Sequence, residues 1–243
     1  MNAILRFMKK NIRIIAFVAL LSAALFSFYP KEKSDPERDK ILLQMITFVI
    51  ERGHYNPKAI DDNFSKSLYK SYLDGLDPSK RLFLQSDIDE FSQYETLLDD
   101  QILNKDLSFF DLTYNRLMQR TEESKSYYKE ALSKPFDYTQ NEELDTDYEK
   151  SPYTKTISEL KDRWRKQIKL STLASLTEKL DFEATKDSLS KTDQKKLKKE
   201  DLEPKSFVIL EKETRENSMK SLDEVYNFMS DLTREDFFGI YLN

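Results

Sequence analysis

Apolar residues recur along this chain at the three-to-four spacing of helices, and no window shows sustained strand alternation. Ser34 to Tyr55 reads as a first helix with clear ends. Asp35 caps it, Pro36 takes the first helical position, Glu37 complements the N-terminal dipole and Gly53 stops it. Leu42, Met45, Ile46, Val49 and Ile50 form its apolar stripe. A second helix begins at Asp61 or Asp62 and carries Phe64, Leu68 and Tyr72; a third runs from Ser86 toward Asp100. A long helix follows Asp106, with Phe110, Tyr114, Leu117, Met118, Tyr128 and Leu132 facing inward in part, and Lys134-Pro135 sets its end. Phe136 to Lys155 is acidic and aperiodic, hence a loop. Thr156 to Leu180 is helical again, with Ile157, Leu160, Trp164 and Ile168 on one side. Phe182 to Lys205 is polar and has few apolar residues; its basic run, Lys195-Lys196 and Lys198-Lys199, reads ordinarily as a solvated surface. Helix resumes at Phe207, and Ser221-x-x-Glu224 is read as the start of another short one carrying Val225, Phe228 and Met229. The fold class is therefore all-α, a multi-helix domain packed by aromatic and leucine stripes. The first helices are expected to form one sub-bundle and the long helices a second layer.

The run Tyr72 to Phe91, YLDGLDPSKRLFLQSDIDEF, is the most informative. It joins two amphipathic helices through a punctuated turn. Gly75 is expected to supply a left-handed backbone at the helix end, and Asp77-Pro78 forbids further helix. Asp77 and Arg81 are placed to pair across the turn. Ser86 and Asp89 read as a capping box for the next helix. Leu76, Leu82, Phe83 and Phe91 are expected to pack between the two helices.

Composition narrows the classes. The three Gly argue against glycine-rich phosphate loops, and 13 Tyr and 16 Phe supply much of the core. Arg6, Lys9, Lys10 and Arg13 precede a nearly apolar stretch, Ile14 to Phe28, which fits a secretory signal; a retained membrane anchor is the alternative. Residues 1–30 are thus a signal peptide or anchor helix, and the location expected is periplasmic. Removing the four cations of this segment takes the formal net charge from −5 to −9. An acidic domain is a poor nucleic-acid binder, so no nucleic-acid partner is expected, and the membrane is reached only through the N-terminal segment. With no Cys, stability must come from packing alone.

Candidate chemistry is sparse. His54, the only histidine, sits after Gly53 at a helix end, where capping is the ordinary role. Asp61-Asp62, Asp99-Asp100 and Asp145-Thr146-Asp147 are acidic, but the last lacks the glycine-shaped loop that calcium favours. No catalytic, cofactor-binding or metal-binding residue is assigned, and no cofactor is expected. Trp164 reads as core.

Several segments, in order, carry a resemblance: the Tyr72–Phe91 run, Gly53-His54-Tyr55, Asp111-Leu112-Thr113-Tyr114-Asn115-Arg116, Pro135-Phe136-Asp137-Tyr138 and Trp164-Arg165-Lys166-Gln167-Ile168-Lys169. Together they resemble the N-terminal domain of bacterial tail-specific, carboxy-terminal processing serine proteases, over residues 35–243. The resemblance implies a larger enzyme in which a PDZ domain and a protease core with a Ser-Lys dyad follow; neither can be matched here. It implies degradation of envelope proteins from their C-terminal ends. Substrates with apolar C-termini would be reached through those further domains, with an adaptor protein as another partner. Phe237 to Leu242 follows a Thr233-x-x-Asp236 cap and reads as a helix cut short while still apolar. Phe237, Phe238, Tyr241 and Leu242 are therefore expected to pack loosely or to form an exposed patch. Two other readings stay open: an independent periplasmic interaction or scaffold protein, and a carboxylate-based hydrolase of cell-wall glycan.

Overall fold

The computed structural model describes residues 36–53, 59–186 and 203–242, without the side chains of 36, 50 and 53. The chain divides into two units, Met1–Arg38 and Asp39–Asn243. The second unit begins with α1 (Pro36–Phe48, entering from the first unit), which runs into a π-helical turn (Val49–Gly53). Then come α2 (Asp62–Leu76), α3 (Gln85–Phe91) with a 3₁₀ turn (Ser92–Tyr94), and α4 (Leu98–Asn104). The long helices α5 (Ser108–Leu132), α6 (Ile157–Thr185) and α7 (Phe207–Asp231) precede the terminal α8 (Arg234–Leu242). No strand occurs among the described residues; one isolated bridge pairs Leu84 with Thr154.

Two apolar clusters organise these helices, and α5 belongs to both. Its first half gives Phe109, Phe110 and Leu117 to a cluster with Tyr69, Tyr72 and Leu73 of α2, Phe83, Phe91 of α3, Leu98 of α4 and three aromatics of α8. Its second half gives Tyr127, Tyr128 and Leu132 to a cluster with Leu160, Trp164 and Ile168 of α6 and Tyr226 of α7. The second cluster is the expected layer of long helices, whereas the first joins the early helices to α5 and to the terminal α8. Phe109 is the hub of the first. Its ring centroid lies 5.4 Å from Tyr94, 5.7 Å from Tyr69, 5.8 Å from Tyr72 and 6.4 Å from both Phe91 and Tyr241. Such tilted and edge-on rings add to the free energy of burial. Phe83 meets Phe91 edge-on at 5.4 Å, both fully buried, with Leu76 and Leu82 packed against the same cluster.

The structure corrects several expectations. Gly75 lies within α2 without a positive φ. The left-handed positions fall instead to Lys80 in the following turn and to Lys105, which closes α4. The third helix is broken: α3 ends at Phe91, the 3₁₀ turn intervenes, and α4 begins at Leu98. Ser221 starts no new helix, because α7 runs unbroken from Phe207 to Asp231 and no helix breaker precedes Ser221. The stripe expected on α1 is split: Leu42 packs against the first cluster, whereas Met45, and Val49 in the following π-helical turn, are 60% and 56% exposed; Asp39 and Leu43, four apart, are the buried pair.

The largest correction concerns α8. Thr233 and Asp236 form the expected cap, Thr233 N–H donating to the Asp236 carboxylate at 2.7 Å and Asp236 N–H to the Thr233 hydroxyl at 3.3 Å. The aromatics behind it are not loose: Phe237, Phe238 and Tyr241 are all buried. Phe238 packs on Phe110 at 5.1 Å, Phe237 on Tyr114 at 5.5 Å and Tyr241 on Tyr72 at 5.0 Å. Periodicity over so short a segment could not show that α2 and α5 leave room for these rings.

Candidate functional site

The turn between α2 and α3 is the most heavily tied part of the chain. Asp77 is buried, and its carboxylate accepts the backbone N–H groups of Arg81, Leu82 and Phe83, each at 2.9 Å. Burial lifts the Asp77 carboxyl above its ordinary value, against the opposing pull of those three donors. The expected ion pair with Arg81 is thus replaced by a backbone cap. The Arg81 guanidinium instead lies 4.4 Å from the Trp164 ring centroid.

Helix α6 holds the outside of this turn. Its Arg163 donates to the Lys80 carbonyl at 2.8 Å, Trp164 to the Arg81 carbonyl at 2.6 Å and Gln167 to the Ser79 carbonyl at 3.2 Å. Trp164 therefore serves the core and satisfies a half-buried acceptor with the same side chain. Lys80, held left-handed, donates to the Ser151 carbonyl at 2.6 Å and the Glu149 carbonyl at 3.1 Å, so the aperiodic loop 133–156 is fastened here too. Gln85 N–H completes the attachment at the Thr154 carbonyl, 2.8 Å away.

Two of the buried carboxylates, Asp87 and Asp39, belong to ion-pair nodes. Asp87 is fully buried and accepts Leu84 N–H at 2.8 Å, so it, and not a Ser86–Asp89 box, caps α3. It also receives Arg120 through Nε at 2.8 Å and Nη2 at 2.9 Å, and Arg116 as well. Burial opposes its ionisation, yet Arg120, the Leu84 N–H and Arg116 hold its pKa below the ordinary value. A second node centres on Arg234 of α8, which reaches Asp39 of α1 and Asp111 of α5. Its guanidinium also lies 4.7 Å from the Phe110 ring centroid. At the surface, Glu142 sits between Arg165 and Lys169, and these two hold its pKa down to about 2.

The acids singled out from sequence are occupied in similar ways. Asp61 caps α2. Asp99 accepts the Ser65 hydroxyl at 2.6 Å. Asp145 accepts Asp147 N–H at 2.9 Å, and Asp147 pairs with Lys150 at 2.7 Å. Among the described residues no three His, Cys, Asp or Glu groups converge as a metal site. His54 lies outside the described residues. A cleft of about 500 Å³ is bordered by α6 and α7; its lining is mixed, with Gln167, Ser171 and Asn217 beside the charged Arg81 and Glu178 and the apolar Leu222.

Sequence reasoning missed the outward apolar residues. Ile41, Met45 and Phe48 project from α1, Val49 from the π-helical turn, and Val225 and Phe228 from α7, with Ile240 on α8, each 48% exposed or more. Their periodicity matched that of core residues, and only the folded arrangement shows which face points out.

Two comparisons bear on this arrangement. The family described as tail specific protease N-terminal domain matches residues 46–243. A tail-specific protease of Haemophilus influenzae is 31% identical over 174 residues, covering 67% of this chain and 25% of that protein. The chain thus spans about a quarter of the length of that relative.

Proposed function

The chain belongs to the tail-specific protease family as its N-terminal domain, and from this we propose that it is the non-catalytic helical module of an exported tail-specific serine protease. The match over residues 46–243 carries the reading. In this proposal the complete enzyme degrades envelope proteins from their C-terminal ends, using a serine activated by lysine in a further domain. The helical module shapes access to that catalytic part. Its outward residues Val225, Phe228 and Ile240 are the surface assigned to contact with the remainder of the enzyme, for which the longer relative provides the precedent. The basic start and the Ile14–Phe28 stretch support export. Among the described residues no helix is long and apolar enough to cross a membrane.

The proposal is tested by incubating the chain with an unfolded protein bearing an apolar C-terminus. No cleavage is expected. Cleavage that persists through purification and disappears when a residue of this chain is mutated would overturn it. Export is tested by fusing a periplasmic reporter after Asp35, which should be active.

A further inference from the structure

The six arginines of α5, α6, α7 and α8 all donate to an acceptor. Arg81 does not. Among the described residues its guanidinium makes no ion pair or hydrogen bond and only lies over Trp164, 4.4 Å from the ring centroid. The Asp77 carboxylate feels this charge, but its oxygens are taken by three backbone N–H groups of the turn. The Arg81 side chain lines the cleft of about 500 Å³ between α6 and α7. A planar fork of unspent N–H donors beside a cleft suits a carboxylate, which accepts two of them at once.

The walls beyond Arg81 suit an amide backbone. Ser175 on α6, and Asn217, Ser218 and Ser221 on α7, line the cleft, and their side chains make no hydrogen bond among the described residues. Each offers both a donor and an acceptor, the complement of a peptide N–H and C=O. Ile168 and Leu222 add apolar lining for the side chains of such a segment. Gln167 and Lys179 mark the extent of the cleft along α6, twelve positions or about 18 Å apart. That is the reach of about five or six residues of extended chain. The other two charges of the cleft, Glu178 and Lys179, are neighbours and offset each other, which leaves Arg81 as the cation without a partner.

We infer that the α6–α7 cleft binds a short extended peptide segment, with a carboxylate seated on Arg81 and backbone amides on the serine and asparagine side chains of the two walls. The carboxylate is that of a chain terminus or of an acidic side chain, since both present the same two oxygens to the guanidinium.

Trp164 is the only tryptophan of the chain and sits under the Arg81 guanidinium, so its emission reports what Arg81 holds. The full chain is titrated with acetylated hexapeptides of alanine and serine: one with a free C-terminus, one amidated, and one amidated with a central glutamate. Inorganic phosphate is a fourth arm. Calorimetry measures binding, and Trp164 emission locates it. Saturable binding with a saturable change in emission is expected for the free acid, the glutamate peptide or both, and the arm that binds identifies the source of the carboxylate. The neutral amidated peptide should bind at least tenfold more weakly. Arg81→Gln, which keeps the backbone N–H that Asp77 holds, should abolish the carboxylate preference. Ser175→Phe, which fills the exposed wall and leaves Arg81 in place, should weaken binding at least tenfold and decides the matter if Arg81→Gln fails to fold. Failure of both carboxylate peptides to bind, equal binding of the neutral peptide, binding without a change in Trp164 emission, or full affinity in the folded variants would each overturn the inference. Phosphate bound as tightly as the peptides would also overturn it, by showing an anion site that makes no use of peptide amides.

Discussion

Helix α8 has nine residues and buries Phe237, Phe238 and Tyr241; α1 has thirteen and, among its described side chains, fully buries one apolar residue, Leu43. Both are tied to the same arginine, because Arg234 at the start of α8 pairs with Asp39 of α1 and Asp111 of α5. The ion node is shared, so it does not explain the difference between them. The difference lies in what each helix puts behind it. α8 inserts three rings between α2 and α5, which makes it a structural part of the first aromatic cluster. α1 rests on that cluster through Leu42 and Leu43 and turns three large apolar side chains, Ile41, Met45 and Phe48, outward. Helix length and hydrophobicity are therefore poor guides to how firmly a segment is held; buried area is the better one.

The contrast can be broken most severely at Phe238. Its ring is 1% exposed and packs on Phe110, so Phe238→Ala should cost about 3–5 kcal/mol through lost transfer and a residual cavity. Urea unfolding would measure it, and a cost near zero would mean that α8 does not close the cluster. Next is Arg234→Ala. It strands the fully buried Asp39 carboxylate, one oxygen of which already lacks a partner among the described residues, and should cost about 3 kcal/mol. The double change Asp39→Leu, Arg234→Met should recover much of that loss, because the desolvated charge goes with its partner.

A smaller effect concerns acid. Asp87 has a folded-state pKa below its ordinary value, so its contribution is present above the unfolded pKa, about 3.9, and is lost as pH falls through the folded one. Asp87→Asn should therefore lower stability at pH 7 and leave a shallower decline between pH 5 and 2 than the parent shows. Parallel denaturation curves across that range would reveal it; identical slopes would show that Asp87 does not titrate in this way. Smallest of all, Met45→Ser on the outward face of α1 should change stability in solution by no more than about 0.5 kcal/mol, although it removes a large apolar side chain.

These two helices also show what was legible in the sequence. α2, α5 and α6 follow from spacing because each has one apolar stripe; Leu160, Trp164 and Ile168 are buried as their periodicity implies. α1 has apolar residues around much of its circumference, so the single stripe read from periodicity mixed its inward and outward faces. The choice between them comes from Arg234, 195 residues away. The Ser221-x-x-Glu224 signature failed for a related reason. A cap requires the chain to leave helical geometry first, and tertiary packing carries α7 straight through. The family resemblance was legible in part through turn residues, where Asp77 and its neighbours meet strict backbone demands, and in part through the helical segments Asp111–Arg116 and Trp164–Lys169. The outward surfaces were not, since exposure depends on which partner is present.

Native-state hydrogen exchange on the full chain compares the two helices directly. The amides of Phe238 and Tyr241 should open with the free energy of the α5 amides near Leu117, as members of one cooperative unit, while amides across Met45 to Phe48 open at distinctly lower cost. Exchange of the α8 amides as fast as those of α1 would contradict the account, because it would show that the three buried rings do not hold the fold together.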